Sequence, residues 1–488
     1  MAKTNKSPLL WFGDFTPDLP TLNNPGSNLI YNVLPASLSY RPMPGLTVFS
    51  GALGARCQGA YAATDSAGNV ANFAGTATKL YLLAADTTWG DVSGATYTTP
   101  SDALWKFTQY SNRVIATNFT DAVQNYRVGV DAVFSNLFTA FKARYVAVVR
   151  SFVMYANTDN DPQECRWTAD DDPTGTTLAT NLADRRILGG EGGWNQAIVG
   201  GQFAIVVQER AVWRGDFGGN AVFLFNMIDQ KRGTPAPSSV INFGQRTFFL
   251  GDDDFYMTDG TAESQPIGYA KIAKTFYADL DQSFTNRITA AVDPINKVAW
   301  WAYPGAGNTA GAPNKCLVYH WPSGKWATGD LAVEILFTSL SQGYTADNVD
   351  GIFATADSTD LSADSRIFTG GKVLLSAFDL NHKLNTFTGA NLQATLETTE
   401  GQIYPMNRAF VQSVRPQVDV SSATIAVASR ERIADSAVYG SAVAMNTQGE
   451  CPQRNSGRYH RAKMVIPAGA SWTHAMGVEF QAVADGVR

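Results

Sequence analysis

Histidine is scarce in this chain, at four residues in 488, and charge is low, at 16% of positions. His320, His382, His460 and His474 stand far apart or in contexts without metal-ligand spacing, and no HExxH occurs. That argues against a zinc hydrolase of the usual kind. The four cysteines, Cys57, Cys165, Cys316 and Cys451, are widely separated. A disulfide framework or a zinc knuckle needs closer pairs, so buried reduced thiols are expected. No G-x-S-x-G elbow or P-loop is present, which removes the serine-hydrolase and NTP-binding motifs. No apolar run reaches the length of a membrane helix, and Met1 to Lys6 carries no signal core. The expectation is a protein made without the usual export route and not inserted in a membrane. The net charge is −6 and no basic stripe stands out, which disfavours tight nucleic-acid binding.

What the chain does have is turns and short strands. Forty-three glycines and abundant Thr, Ser and Asn suit an all-β protein. A unit of roughly forty residues recurs, and each copy ends on an aromatic residue near a turn, the mark of a propeller-type repeat. Leu80-Tyr81-Leu82 runs to Trp89, Ala204 to Val207 precedes Trp213, and Thr247 to Leu250 precedes Phe255-Tyr256. Val298-Ala299-Trp300-Trp301 precedes Leu317-Val318-Tyr319 and Trp326. Many strands are apolar on both faces, as stacked sheets require.

The expected fold is all-β: a β-propeller of six to seven blades with an appended antiparallel β-sandwich-like platform. The segment 1–54, rich in Pro17, Pro20, Pro25, Pro35, Pro42 and Pro44, reads as an extended lead that packs on the platform or on a neighbour. Residues 55–330 read as blades, 331–370 as a connector or last blade, and 371–488 as the platform, where strands lengthen. Apolar spacing at Ile272, Phe276 and Leu280 predicts one short helix over 271–280.

Several motifs invite chemistry and read better as structure. Asp170-Asp171-Asp172 and Asp252-Asp253-Asp254 are adjacent acids rather than staggered calcium ligands, so turns are preferred to a calcium loop. Gly189 to Gly193 has no following Lys-Ser/Thr and no helix, so it is a turn. His320, between Tyr319 and Trp321, reads as a packed strand residue, and the stretch Arg458 to Lys463 as a strand face or interface. Trp194, Trp213, Trp300, Trp301 and Trp321 could stack on sugars but more simply fill gaps between sheets. Pro322-Ser323-Gly324-Lys325-Trp326 is the nearest approach to a sialidase turn, and it lacks the aspartate and does not recur. No catalytic, metal or cofactor-binding residue is assigned, and no enzyme activity is expected.

Three stretches carry a family resemblance. Arg144 to Val153 with Arg166-Trp167-Thr168, Ile198 to Val207 leading to Gly251 to Gly260, and Ser456 to Arg461 through Ile466 to Gly469 and Gly486-Val487-Arg488 resemble tail proteins of short-tailed bacteriophages. The resembled proteins are tail nozzle, or tail accessory (tubular B-like), proteins. The resemblance implies a propeller on a ring-forming platform, with six copies at the far end of the tail. It implies adaptor and portal partners, docked fibres or tailspikes, and double-stranded DNA leaving through the lumen without sequence-specific binding. The expected location is the virion tail, assembled in the host cytoplasm. The loop 169–181 is a candidate lumen gate beside its plainer reading as a surface loop. The alternative reading is a carbohydrate-binding or polysaccharide-degrading propeller that acts in host-surface recognition.

Overall fold

The computed structural model describes residues 8–22, 24–218, 222–341 and 370–485. The architecture is all-β, with repeated four-stranded antiparallel sheets in a propeller-like arrangement. The first unit shows how the local sequence builds one. Ala60–Thr64, Val70–Gly75, Leu80–Leu83 and Trp89–Asp91 pair in chain order. Asp65 closes the first hairpin by accepting from the backbone N–H groups of Ala67 and Asn69, each at 2.8 Å. Gly68 supplies the positive φ of +90° that this turn needs.

Five more consecutive units follow, spanning 106–138, 143–187, 195–230, 241–266 and 289–330. A seventh set joins Ile335–Leu340, Val373–Phe378 and Lys383–Thr386 to Thr47–Ala52 from the start of the chain. The innermost strands follow one another in cyclic order, with the turn Pro237–Ser239 making the contact between the fourth unit and the fifth, and Ile335–Leu340 returns to Ala60–Thr64. Separate apolar clusters fill the wedges between neighbouring units. Phe73, Trp105 and Phe134 lie between the first two. Cys57, Leu83, Phe337 and Phe378 lie between the seventh and the first. Side chains also tie the units: Asn72 Nδ2 donates to Leu340 O at 3.0 Å and Asn157 Nδ2 to Asn195 O at 2.9 Å.

This pairing corrects the expected boundaries. The division at 371 falls inside a four-stranded set, because Val373–Phe378 pairs with Ile335–Leu340. The lead segment does not pack on the platform alone, since Thr47–Ala52 is the outer strand of that set. The rest of the connector, 342–369, lies outside the described residues, as does Gly486 to Arg488 of the closing stretch.

The C-terminal part has two facing sheets. One orders Val33–Pro35, Tyr40–Pro42, Ala475–Ala484, Ala409–Val418 and Cys451–Gly457, with Leu9–Trp11 also on Ala475–Ala484. The other pairs Ala394–Glu397, Tyr459–Ile466 and Thr424–Arg430. Tyr459–Ile466 alternates strictly, burying His460, Ala462, Met464 and Ile466, which is the period of a strand with one face on a core. Ile30–Tyr31 bridges this sheet to the sixth unit: Tyr31 pairs in parallel with Thr328, and Ile30 antiparallel with Leu396. One apolar core then runs from Val411, Phe480 and Met464 to Trp301, Trp326 and Phe255.

The helix runs Ala273–Asp279 and buries Phe276, with Ile272 and Leu280 buried at its ends. Its start is capped from afar, because the Asp18 carboxylate accepts from Lys274 N and Thr275 N at 2.8 Å each. All four cysteines are buried free thiols.

Candidate functional site

The innermost strands stand side by side around one axis. They enclose a cavity of about 630 Å³ whose wall takes residues from every unit, from Tyr61 in the first to Phe337 in the seventh. A second cavity of about 320 Å³ sits at the N-terminal ends of the innermost strands of the second to fifth units. Lys106 lines both. Its side chain arises from the first position of the strand Lys106–Tyr110.

Lys106 Nζ donates to Ser238 Oγ at 2.9 Å and forms no ion pair among the described residues. Loss of solvent pulls its ammonium down to about 8. The Arg144 guanidinium stacks 4.3 Å from the centroid of the Phe119 ring and likewise has no carboxylate partner among the described residues. Glu209 accepts from Gln196 Nε2 at 3.2 Å, and Tyr145 OH donates to Gln196 Oε1 at 3.4 Å. Trp194 stands 53% exposed among the residues of this mouth.

A cation held without a counter-ion costs stability. The folded state holds the Lys106 proton less tightly than the unfolded chain. The cost is therefore full below pH 8 and fades as pH rises from about 8 towards the ordinary lysine range near 10.5. Lys106→Met is expected to raise stability at pH 7 by about 2 kcal/mol, since each tenfold change in proton affinity is worth about 1.36 kcal/mol and the site relaxes in part. Its advantage should shrink by pH 10. Urea denaturation of both proteins at the two pH values checks this.

The motifs singled out in the sequence lie apart from the axis or serve turns. Asp252 to Asp254 make the hairpin between Arg246–Leu250 and Phe255–Thr258, where Gly251 N donates to Asp254 O at 2.8 Å. Tyr256 OH donates to Asp253 Oδ1 at 2.7 Å. Asp254 is buried and pushed up to about 6 by desolvation. In the other triplet, Asp171 accepts from Tyr110 OH, and Asp172 Oδ1 accepts from Thr174 N at 2.9 Å. Among the described residues no group of three His, Cys, Asp or Glu side chains is placed to hold a metal. The loop 169–181 is closed on itself by Asp170 N to Asn181 O at 2.9 Å, tied to its own unit by Arg166 Nη2 to Thr176 O at 2.9 Å, and tied to the second unit by the Tyr110–Asp171 bond. Gly190 and Gly193 take positive φ in the turn before Asn195–Val199.

His320 Nδ1 contacts Ser323 Oγ at 2.7 Å in the turn that follows its strand, and burial lowers its basicity. Trp300 and Trp301 are fully buried, and Trp213 and Trp321 are partly buried against neighbouring clusters. Only Trp194 of the five is largely open. Sequence reasoning missed Lys106, Arg144 and Glu209. The one local signal for the first was a cation set between Trp105 and Phe107 at a strand start.

The class that this geometry defines is an all-β protein of propeller-like repeats around an axial cavity. No protein family matches the chain, and no curated protein does. The crystal structure of the computationally designed Ika8 protein aligns with 71% of this chain and 98% of its own at 9% identity, with a TM-score of 0.36. That likeness is too slight to support an argument. Among the described residues no helix is long and apolar enough to cross a membrane.

Proposed function

We propose that this chain is a structural subunit of a short bacteriophage tail, a seven-bladed propeller carried on a β-sandwich platform that packs into a nozzle ring. The ring would be a closed homo-hexamer between the portal–adaptor side and the distal tail. It would dock fibres or tailspikes and pass double-stranded DNA through its lumen. The observation that carries the reading is the continuity of the two bodies. Ile30–Tyr31 hydrogen-bonds both, and one core runs through both. A subunit joined this way transmits load without a hinge, as a ring under internal pressure requires. The low charge and the apolar side chains left open on the sandwich, Met406, Ile433 and Val438 at 80%, 55% and 70% exposure, suit burial against neighbours.

Negative-stain imaging of the protein, alone and with adjacent tail proteins, tests the reading. Sixfold rings support it, and persistent monomers that ignore those partners overturn it. Val438→Asp is expected to weaken ring formation by about tenfold or more while leaving the melting curve unchanged, because a charge would be placed in a closed interface. Sedimentation across a concentration series reads that change. A second reading, a carbohydrate-binding or polysaccharide-degrading propeller for host-surface recognition, is favoured by one observation: the open indole of Trp194 beside two cations that have no acidic partner among the described residues, at the axial mouth.

A further inference from the structure

We infer that the axial mouth cavity binds a carboxylated sugar: Lys106 and Arg144 take the carboxylate, Trp194 covers a face of the pyranose ring, and Glu209 accepts from its hydroxyls. The inference rests on the second reading above and is independent of ring assembly.

Four observations converge on it. First, Lys106 and Arg144 line one cavity, and neither has an acidic partner among the described residues. Buried or half-buried cations are normally paired. Lys106 donates only to a neutral hydroxyl, so two of its protons remain for a ligand. Arg144 is oriented by its stacking on Phe119, which presents the guanidinium edge without consuming its donors. Second, Lys106 stands largely withdrawn from bulk water at the start of an inner strand and lines both cavities, and ionisable groups held in such clefts concentrate at binding sites.

Third, the ionised lining is balanced, with Asp102 and Glu209 set against Lys106 and Arg144. A dianionic phosphate would meet those carboxylates unfavourably. A monoanion rich in hydroxyl donors satisfies both signs, since a carboxylate accepts where a sugar donates. Fourth, a space of 320 Å³ is at the small end of ligand sites, which run from about 300 to 1,000 Å³. It suits one sugar ring beside an exposed indole rather than a larger cofactor.

The test is calorimetric titration of the full chain with methyl β-D-glucuronide, methyl β-D-glucoside and inorganic phosphate. Saturable binding of the glucuronide is expected, with the neutral glucoside about tenfold or more weaker, as loss of a charge-assisted hydrogen bond implies. Arg144→Gln, Lys106→Met and Trp194→Ala should each weaken the glucuronide by about tenfold. Lys106→Met is the decisive variant because it is expected to fold more stably than the parent. No saturable binding, equal binding of the glucoside, indifference to Lys106→Met, or tighter binding of phosphate would each overturn the inference. Imaging of rings on the same samples separates this outcome from that of the tail reading.

Discussion

A chain that starts after Ala52 is expected to lose its native fold, not merely a disordered lead. The deleted residues include Thr47–Ala52, the strand that completes the seventh set against Lys383–Thr386. Without it, Ser50 no longer accepts from Leu384 N at 3.1 Å or from Trp89 Nε1 at 2.9 Å, and the latter bond joins the seventh set to the first. The deletion also removes Ile30–Tyr31, which links the sixth unit to the C-terminal strand Ala394–Glu397. Phe12, Phe15, Ile30, Val33 and Tyr40 leave the central core with it. At about 2 kcal/mol for each large buried side chain, those five alone contribute about 10 kcal/mol. A whole domain has a net stability of about 5–15 kcal/mol. Size-exclusion chromatography and a thermal melt of the deleted chain check this. Aggregation or a lost cooperative transition is the expected result. A soluble chain with an unchanged melt would refute the closure role. Ser50→Ala is the mild counterpart, expected to cost only about 1–2 kcal/mol because it strips a buried hydroxyl from two donors.

That closing strand also marks where the sequence stopped being legible. The consecutive units could be read because each hairpin is local. Alternation, a polar turn and an aromatic at the end all fall within one window, as in Thr247 to Leu250 followed by Phe255 to Met257. The helix was readable for the same reason, from Ile272, Phe276 and Leu280. The seventh set has no such window. Its first two strands are separated by residues 341–372, and its last comes from more than three hundred residues away. Pro42 and Pro44 beside that strand also argued for extended chain. The axial site was invisible for a related reason. Lys106, Arg144, Trp194 and Glu209 come from three different units, and only the cyclic contact of the inner strands gathers them. The Asp triplets were read as turns, and that is where they sit.

Acid is expected to weaken the C-terminal sheets through His460. The residue lies in Tyr459–Ile466 with no exposed surface, and neither ring nitrogen makes a well-formed hydrogen bond. Burial holds the imidazole down to about 4, with a polar contact to the Ala409 backbone offsetting it in part. The carboxylates on and beside the neighbouring strands are already matched, Glu400 with Arg430 and Glu397 with Arg461, so among the described residues of those strands none is left over to stabilise an imidazolium. The unfolded chain therefore takes up this proton first, near pH 6.5. The neutral ring's contribution is intact above that value and is lost as pH falls from 6.5 to about 4. The loss amounts to about 3 kcal/mol, at about 1.36 kcal/mol for each tenfold change in proton affinity.

Asp254 works with the opposite sign. Its folded carboxyl is pushed up to about 6, so it gains relative stability as pH falls from there towards the ordinary aspartate value of 3.8. A melt of the parent protein alone would mix the two. The difference between the parent and His460→Leu isolates the histidine, because Leu fills a similar volume and does not titrate. The two proteins are expected to be of similar stability at pH 7.5. The variant should be more stable by about 3 kcal/mol at pH 4. Asp91 and Asp419, both held near 2, do not interfere, since their contribution is lost only below about pH 4. Denaturant titrations at the two pH values read the difference directly. A gap that does not widen on acidification would show that the ring finds a partner when charged, and that this strand carries no acid sensitivity.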